Sequence, residues 1–321
     1  MRILLTTTSF QDTPGAHHAL LAGSGFTIIP ARGPLNEAQM LALIAEQGPF
    51  DGFLNGDDQI TARVIDAAGE RLKVIAKYGI GIDSIDVAHA TQRSIPVLFT
   101  PGVNHTTVAE HTIGLMIALV KAFWPHARAV KAGHWTRHTG HELMGKTLGI
   151  LGLGRIGREV VKRAQAFGMR CIAYSPHWPE DRQTQFDVIR QATPEAVLAD
   201  ADIVSLHMPL NDTTRGFINA RTLAIMKKGA YLINTARGGL IVEADVAAAC
   251  RSGQLAGYGA DVLAEEPIRP GHPFQEIDSI LITPHISSRT FESVERQALC
   301  AVTNLIEFLT GGKNYIQANR F

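Results

Sequence analysis

Cysteine is scarce in these 321 residues: Cys171, Cys250 and Cys300 lie far apart and form no CxxC pair. That scarcity argues against a disulfide framework or a cysteine zinc site, and for reduced thiols with a cytoplasmic address. An excess of one charge is also missing, with 30 basic against 30 acidic side chains. Nothing in the bulk electrostatics therefore draws the chain to nucleic acid or a membrane. Long apolar runs are absent too; Leu115–Val120, the longest, is too short to span a bilayer. Met1–Phe10 carries one Arg and a brief apolar stretch, which is the pattern of neither a signal peptide nor an anchor. No repeat of solenoid period, low-complexity tract or His/Cys/Asp cluster with metal-ligand spacing occurs, so no metal is expected. What is present, 45% hydrophobic and 19% charged residues, suits a soluble globular protein long enough for two domains.

Periodicity divides the chain into two alternations of strand and helix. In the first hundred residues, β-rich runs at Ile3–Thr6, Phe26–Ile29, Gly52–Leu54, Val74–Ala76 and Ile95–Phe99 alternate with helical patterns at Leu35–Gln47, Ile60–Ala68 and Ser84–Gln92. Such alternation predicts a parallel sheet covered on both faces. A long helix is expected from about Asn104, with Thr107 and Glu110 spaced as a capping box and Trp124-Pro125 as its interruption. A second alternation follows, with strands at Thr147–Leu151, Arg170–Tyr174, Ile203–Leu206, Ala230–Asn234, Gly257–Asp261 and Ile280–Thr283. Six strands match a doubly wound nucleotide-binding sheet. The last pattern, Val294 to Leu309, is an amphipathic helix.

Gly152, Gly154 and Gly157 form a GxGxxG run with Arg155 and Ile156 between them, directly after one strand pattern and at the head of a helical one. That context gives the glycines their chemistry: a tight turn, close approach of backbone to a pyrophosphate, and a helix N-terminus facing the anion. An acid about twenty residues on would hold the ribose 2′-hydroxyl of NAD. Eighteen residues after Gly157 stands Ser175, which removes repulsion toward a 2′-phosphate. His177 and Arg182 follow it, yet no Arg is adjacent, so NAD and NADP stay open.

Three polar residues fall just past consecutive strand ends, where open α/β sheets bind ligands: Arg237, Glu266 and His285. Taken singly, each reads as a solvated turn, an exposed loop or a surface histidine. Together they meet the needs of 2-oxo acid reduction. A guanidinium fixes the carboxylate and polarises the ketone, and an imidazolium protonates the oxygen as hydride arrives. A carboxylate beside the imidazole favours its charged form and orients the ring.

With these residues in view, the chain resembles the D-isomer-specific 2-hydroxyacid dehydrogenases, a family that includes phosphoglycerate, glyoxylate/hydroxypyruvate and D-lactate dehydrogenases. The likeness runs through Lys77–Asp83, Val108–His111, Gly152–Gly157, Val204–Leu210, Asn234–Gly238, Asp261–Pro267 and Thr283–Ser287. It implies an α/β fold of two doubly wound parallel-sheet domains, a Rossmann domain (104–287) inserted into a flavodoxin-like substrate domain (1–103 with 288–321). It implies Arg237, Glu266 and His285 as the catalytic set, with Tyr78, Gly79, Ile80 and Gly81 joining Arg237 and His285 around the substrate. Beyond the glycine run and Ser175, it assigns His207, Pro209, Thr213, Thr235, Ala236 and Asp261 to the cofactor, Asp261 meeting the nicotinamide carboxamide. It also implies a homodimer built on about 104–140, with Trp135 reaching toward the partner subunit.

Ser175 departs from the usual ribose-binding acid, and Ser287 stands where a glycine is common. Glu266 replaces the glutamine of formate dehydrogenases, and the chain ends before any regulatory domain, so neither formate oxidation nor serine control is expected. A small substrate such as glyoxylate or hydroxypyruvate is favoured. A phosphorylated one needs further cations, for which sequence offers Arg32, Lys73 and Arg269 without placing them. The alternative from another class is a non-catalytic redox sensor or corepressor of this fold, which retains much of the same constellation; turnover of NAD(P)H with 2-oxo acids separates the two.

Overall fold

The computed structural model describes residues 1–178 and 187–321. The chain divides into two compact units, Met1–Asn104 with Arg289–Phe321, and His105–Ser288.

In the first unit, β1 (Arg2–Leu5), β2 (Thr27–Pro30), β3 (Gly52–Asn55), β4 (Val74–Lys77) and β5 (Val97–Leu98) form an all-parallel sheet of order 2-1-3-4-5. Side chains alternate across it. Ile3 and Leu5 pack with Val294, Ala298 and Leu305 of the long last helix, while Leu4 faces Met40, Ile44 and Val64 on the other side. Those helices are α1 (Thr8–Asp12), α2 (Ala16–Ala22), α3 (Glu37–Gln47), α4 (Ala62–Ala68), α5 (Val87–Gln92) and, far along the chain, Phe291–Leu309. Helix α3 starts where Asn36 accepts from the Gln39 N–H and Gln39 reaches back to the Asn36 N–H, a reciprocal cap. Helices α1 and α2 were not signalled by periodicity; five and seven residues are too short to display it.

Among the described residues, the second unit holds seven parallel strands rather than the six expected. They are β6 (Thr147–Leu151), β7 (Arg170–Tyr174), β8 (Ile189–Arg190), β9 (Ile203–Leu206), β10 (Ala230–Asn234), β11 (Leu255–Ala260) and β12 (Ile280–Ile282), in the order 12-11-10-9-6-7-8. The extra strand, β8, is a two-residue edge piece with both residues exposed, so it carries no apolar signature. This is the doubly wound nucleotide-binding order with one further strand at the far edge.

Helix α6 (His105–Val120) and α8 (Arg155–Ala166) cover one face. The other is covered by α9 (Pro194–Asp200), α10 (Ala220–Ile225) and α11 (Glu243–Ser252). On α8 the buried positions are Gly157, Val160, Val161 and Ala164, the three- and four-residue spacing of a single apolar stripe.

The expected capping box is corrected. Helix α6 begins at His105, two residues before Thr107, so Thr107 lies inside the first turn and Glu110 instead pairs with Arg163 of α8 at 3.0 Å. The interruption also lies earlier than Trp124-Pro125. Ala122 adopts φ +51, and α7 (Phe123–Lys131) leaves at 65° to α6. Pro125 sits in the first turn of α7, where its missing N–H removes no intrahelical bond. No single helix among the described residues is long and apolar enough to cross a membrane. The final helix, Phe291–Leu309, becomes α12.

Candidate active site

The nucleotide end is built by backbone. Gly152 ends β6 with φ +101, and a Cβ there would lie 2.6 Å from the His207 carbonyl; at Gly157 it would meet the Gly152 oxygen at 2.4 Å. Gly154 is different, because its missing Cβ faces open space. The turn and the helix packing thus require the first and third glycines, and the second leaves room for a ligand to approach the chain. Gly154 caps α8 with no side chain on the free amides and no acid in the first turn. Those donors suit an anion, and a dinucleotide's pyrophosphate fits the cradle. Arg155 and Ile156 open this helix, Ile156 leaning on the core.

Past β7, Ser175 is partly exposed and its hydroxyl donates to the His177 carbonyl at 3.3 Å. Arg182, the other cation considered near the ribose, lies outside the described residues. At the end of β9, His207 is held by its backbone N–H to Leu151 O at 2.7 Å, and its Nε2 lies 2.8 Å from the Ser205 hydroxyl. Burial of that ring pushes its pKa down to about 3, although the residue as a whole keeps some exposure. Pro209 and Thr213 are exposed in the following loop, where Thr213 gives both its N–H and its hydroxyl to the Asn211 side chain.

After β10, the buried Asn234 amide braces the next turn. Its Oδ1 accepts from the Ala236 N–H at 3.1 Å and its Nδ2 donates to Arg237 O at 2.9 Å. The Arg237 guanidinium donates one bond to Ala236 O at 2.7 Å. The next residue, Gly238, lies against the Leu263 backbone so closely that a Cβ would fall 1.9 Å from the Leu263 carbonyl carbon. This contact brings the Arg237 turn against the loop that carries Glu266.

Glu266 and His285 meet directly: Glu266 Oε2 lies 2.8 Å from His285 Nδ1, and Oε1 accepts from the Leu263 N–H at 3.0 Å. The carboxylate therefore ties the histidine ring to its own loop. His285 adopts φ +53, uncommon for a residue with a Cβ. Asp261, carried over as a carboxamide contact, is fully buried with three donors already on it. They are the Thr283 hydroxyl at 2.6 Å and the Ile286 N–H at 2.8 Å on Oδ1, and the Ser287 N–H at 2.7 Å on Oδ2. Ser287 is itself buried.

Residues 78–81 follow β4 in the first unit. Tyr78 is buried, its pKa pushed up by that burial, with its hydroxyl 3.4 Å from Ser9 Oγ. Gly79, at φ +136, gives its N–H to Thr100 Oγ1 at 3.0 Å. Ile80 and Gly81 continue the turn, both partly buried. Sequence reasoning missed the supports of the second unit: Asn234, and the contacts from α6 that pair Thr112 with Thr235 and His111 with Thr283, each at 2.9 Å. His111 did stand within a family motif, but one strand-end residue and one helix residue 172 positions apart leave no local pattern. Among the described residues, no group of three or more His, Cys, Asp or Glu is placed to hold a metal.

The family model for D-isomer specific 2-hydroxyacid dehydrogenase, NAD binding domain, matches residues 113–287. A glyoxylate reductase of Thermofilum pendens is 40% identical over 260 residues, spanning 79% of this chain and 76% of that one. A D-3-phosphoglycerate dehydrogenase of Archaeoglobus fulgidus is 37% identical over 84% of this chain, which spans only 51% of that relative's length. Among solved structures, the TT0316 protein from Thermus thermophilus superposes with a TM-score of 0.89 at 36% identity, covering 99% of this chain and 100% of that one. The chain belongs to the D-isomer-specific 2-hydroxyacid dehydrogenases, and it is an NAD(P)-dependent oxidoreductase of 2-oxo and 2-hydroxy acids.

Proposed function

We propose that this enzyme reduces small, unphosphorylated 2-oxo acids, of the size of glyoxylate and hydroxypyruvate, to the corresponding D-2-hydroxy acids. The contact of 2.8 Å between His285 and Glu266 carries the reading. With Nδ1 taken by the carboxylate, the proton offered to a ketone oxygen is carried on Nε2, and in the reverse direction the neutral ring collects it there. Arg237 binds the substrate carboxylate through its planar fork and draws electron density from the ketone. The nicotinamide, when bound, supplies the hydride. The family resemblance adds the backbone donors of Ile80 and Gly81 to those proposed for the carboxylate.

The pairing of the three cations that the sequence offers for a phosphate supports a small substrate. Arg32 is paired with Asp12 at 2.6 Å, Lys73 with Asp51 at 3.8 Å, and Arg269 with Glu265. Each basic residue considered for a phosphate is thus engaged by a carboxylate. The strand order 2-1-3-4-5 supports a flavodoxin-like substrate domain, with the Rossmann domain inserted. Ser175 puts no charge at the ribose position, so NADH and NADPH are both taken as donors.

We also read α7 and the segment after it as the homodimer face. None of the α7 residues is buried, and Phe123, Trp124, Val130 and Trp135 are exposed by 51% or more. Large apolar side chains left exposed so near one another in sequence support an interaction surface there. A spectrophotometric screen of 2-oxo acids against both cofactors tests the function. Oxidation of NAD(P)H with glyoxylate or hydroxypyruvate is expected, and turnover confined to phosphorylated acids would overturn the substrate class.

A further inference from the structure

We propose that His111 and Thr283 are positioning residues for His285, acting through the Asp261 carboxylate. The inference rests on His285 being the proton donor, as proposed above.

Hydrogen counting fixes the direction of the chain of bonds. Asp261 is an acceptor, so the Thr283 hydroxyl spends its hydrogen on Asp261 Oδ1 at 2.6 Å. The Thr283 oxygen then accepts, which makes His111 Nε2 the donor across 2.9 Å and sets its tautomer. Burial lowers the His111 pKa, which suits a neutral ring donating one hydrogen. Nε2 also lies 3.7 Å from Asp261 Oδ1, so His111, Thr283 and Asp261 converge on one point.

The same Asp261 carboxylate also holds the turn that carries the catalytic candidate, through both of its oxygens. Ile286 and Ser287 both donate to it, and the His285 N–H is shared between the carbonyls of Asp261 at 2.9 Å and Thr283 at 3.0 Å. A histidine at φ +53 persists only where its surroundings over-determine it. Glu266 orients the ring, and Asp261 holds the backbone beneath it. The carboxylate is in turn held by Thr283 and His111.

The element that supplies His111 makes a second tie of the same kind. The next residue, Thr112, sends its hydroxyl to Val108 O at 2.7 Å and therefore accepts from Thr235 at 2.9 Å. Thr235 stands two residues before Arg237. Consecutive residues of α6 thus fasten the end of β10 beside Arg237 and the end of β12 beside His285. A rigid helix fixing two strand ends is the support a reacting geometry needs.

The test uses the full-length enzyme with its best 2-oxo acid and cofactor. Thr283→Val and His111→Phe are each expected to lower kcat at least about tenfold, the scale of a sub-ångström to ångström misplacement. The 2-oxo acid KM and the cofactor Kd should change by less than about threefold. Thr283→Ser keeps the hydroxyl and should recover most of the loss. The His285 ring resonance in NMR should move in Thr283→Val and return in Thr283→Ser.

Parental kcat in His111→Phe overturns the proposal, even if Thr283→Val fails to fold. So does a loss carried entirely by the cofactor Kd, or a Thr283→Ser variant as impaired as the valine. His285→Ala, run in parallel, separates the two levels. If it retains turnover, the proton-donor assignment fails, whereas an inactive His285→Ala beside a fully active His111→Phe removes only the positioning role.

Discussion

Glu266 bridges two things at once: its Oε2 holds His285 Nδ1 at 2.8 Å while its Oε1 holds the Leu263 N–H of its own loop at 3.0 Å. A carboxylate secured at one oxygen is a fixed partner at the other, so the ring it orients has little freedom to turn. His285→Ala is expected to lower kcat by about 10² to 10⁴, the range of a lost general acid. Glu266→Gln retains an acceptor for Nδ1–H but loses the charge, and a smaller fall of about tenfold is expected. Steady-state kinetics beside cofactor titration check both. A Glu266→Gln enzyme more impaired than His285→Ala would show that the carboxylate acts elsewhere.

Arg237 is assigned a two-pronged grip that an ammonium cannot copy. Arg237→Lys keeps the charge and loses the planar fork. Its KM for the 2-oxo acid should rise roughly 10²-fold, the cost of one good charge-assisted bond plus poorer alignment. Cofactor affinity should hold. A lysine variant with parental KM would mean that the substrate carboxylate is bound by other donors.

The parts legible in sequence were those with local physical causes. Strands β6, β7, β9 and β10 run over the residues that the apolar patterns predict, because strands buried on both faces read as nearly continuous apolar runs, as Ile203–Leu206 does with Ser205 its one polar residue. The catalytic candidates were legible because each stands just beyond such a strand. Edge strand β8 was not, since two exposed residues leave no pattern. The Thr107-Glu110 pair misled for a related reason: its spacing suits a cap, but it equally suits the interior turn where Glu110 meets Arg163, and only the neighbouring helix decides. Asp261 shows the deepest limit. Its three donors come from the chain 22 to 26 residues later, and no local spacing announces such a cluster.

Two glycines in the second unit should respond in opposite ways to one methyl group. Gly238→Ala places a Cβ 1.9 Å from the Leu263 carbonyl carbon, and backbone cannot yield as a side-chain tip can. A destabilisation above about 3 kcal/mol is expected, beyond ordinary overpacking. Gly154→Ala meets no protein atom within 4 Å. That variant should fold normally and lose cofactor affinity instead, because its methyl occupies the approach to the α8 amides. Urea unfolding together with cofactor fluorescence titration reads both. Normal dinucleotide binding by Gly154→Ala would contradict the proposed path of the pyrophosphate.

Ser175→Asp places a carboxylate just after β7, where the proposed ribose site would have it accept from a 2′-hydroxyl and repel a 2′-phosphate. The ratio of kcat/KM for NADPH to that for NADH should fall at least about tenfold, one close charge repulsion being worth that much. An unchanged ratio would show that position 175 does not meet the ribose.

Acid should weaken the second unit through His207. Burial drives that imidazole down to about 3 from its ordinary 6.5, so between those values the unfolded chain binds a proton that the folded one refuses. Stability therefore rises with pH across the window and is lost on acidification from about 6.5 toward 3; above 6.5 the group contributes no pH dependence. The slope from one such proton reaches at most about 1.4 kcal/mol per pH unit. Asp51 and Asp202, whose pKa values are lowered from 3.8, act in the same direction but only at lower pH. His17 and His111, also lowered by burial, add equally to parent and variant. His207→Gln should therefore flatten the dependence between pH 6.5 and 4.5 while leaving the steeper fall below pH 4 in place. Unfolding free energies from urea titrations at half-unit steps measure the difference. Superimposable slopes in the parent and His207→Gln would mean that the ring takes up its proton in the folded state, and that burial does not hold it neutral.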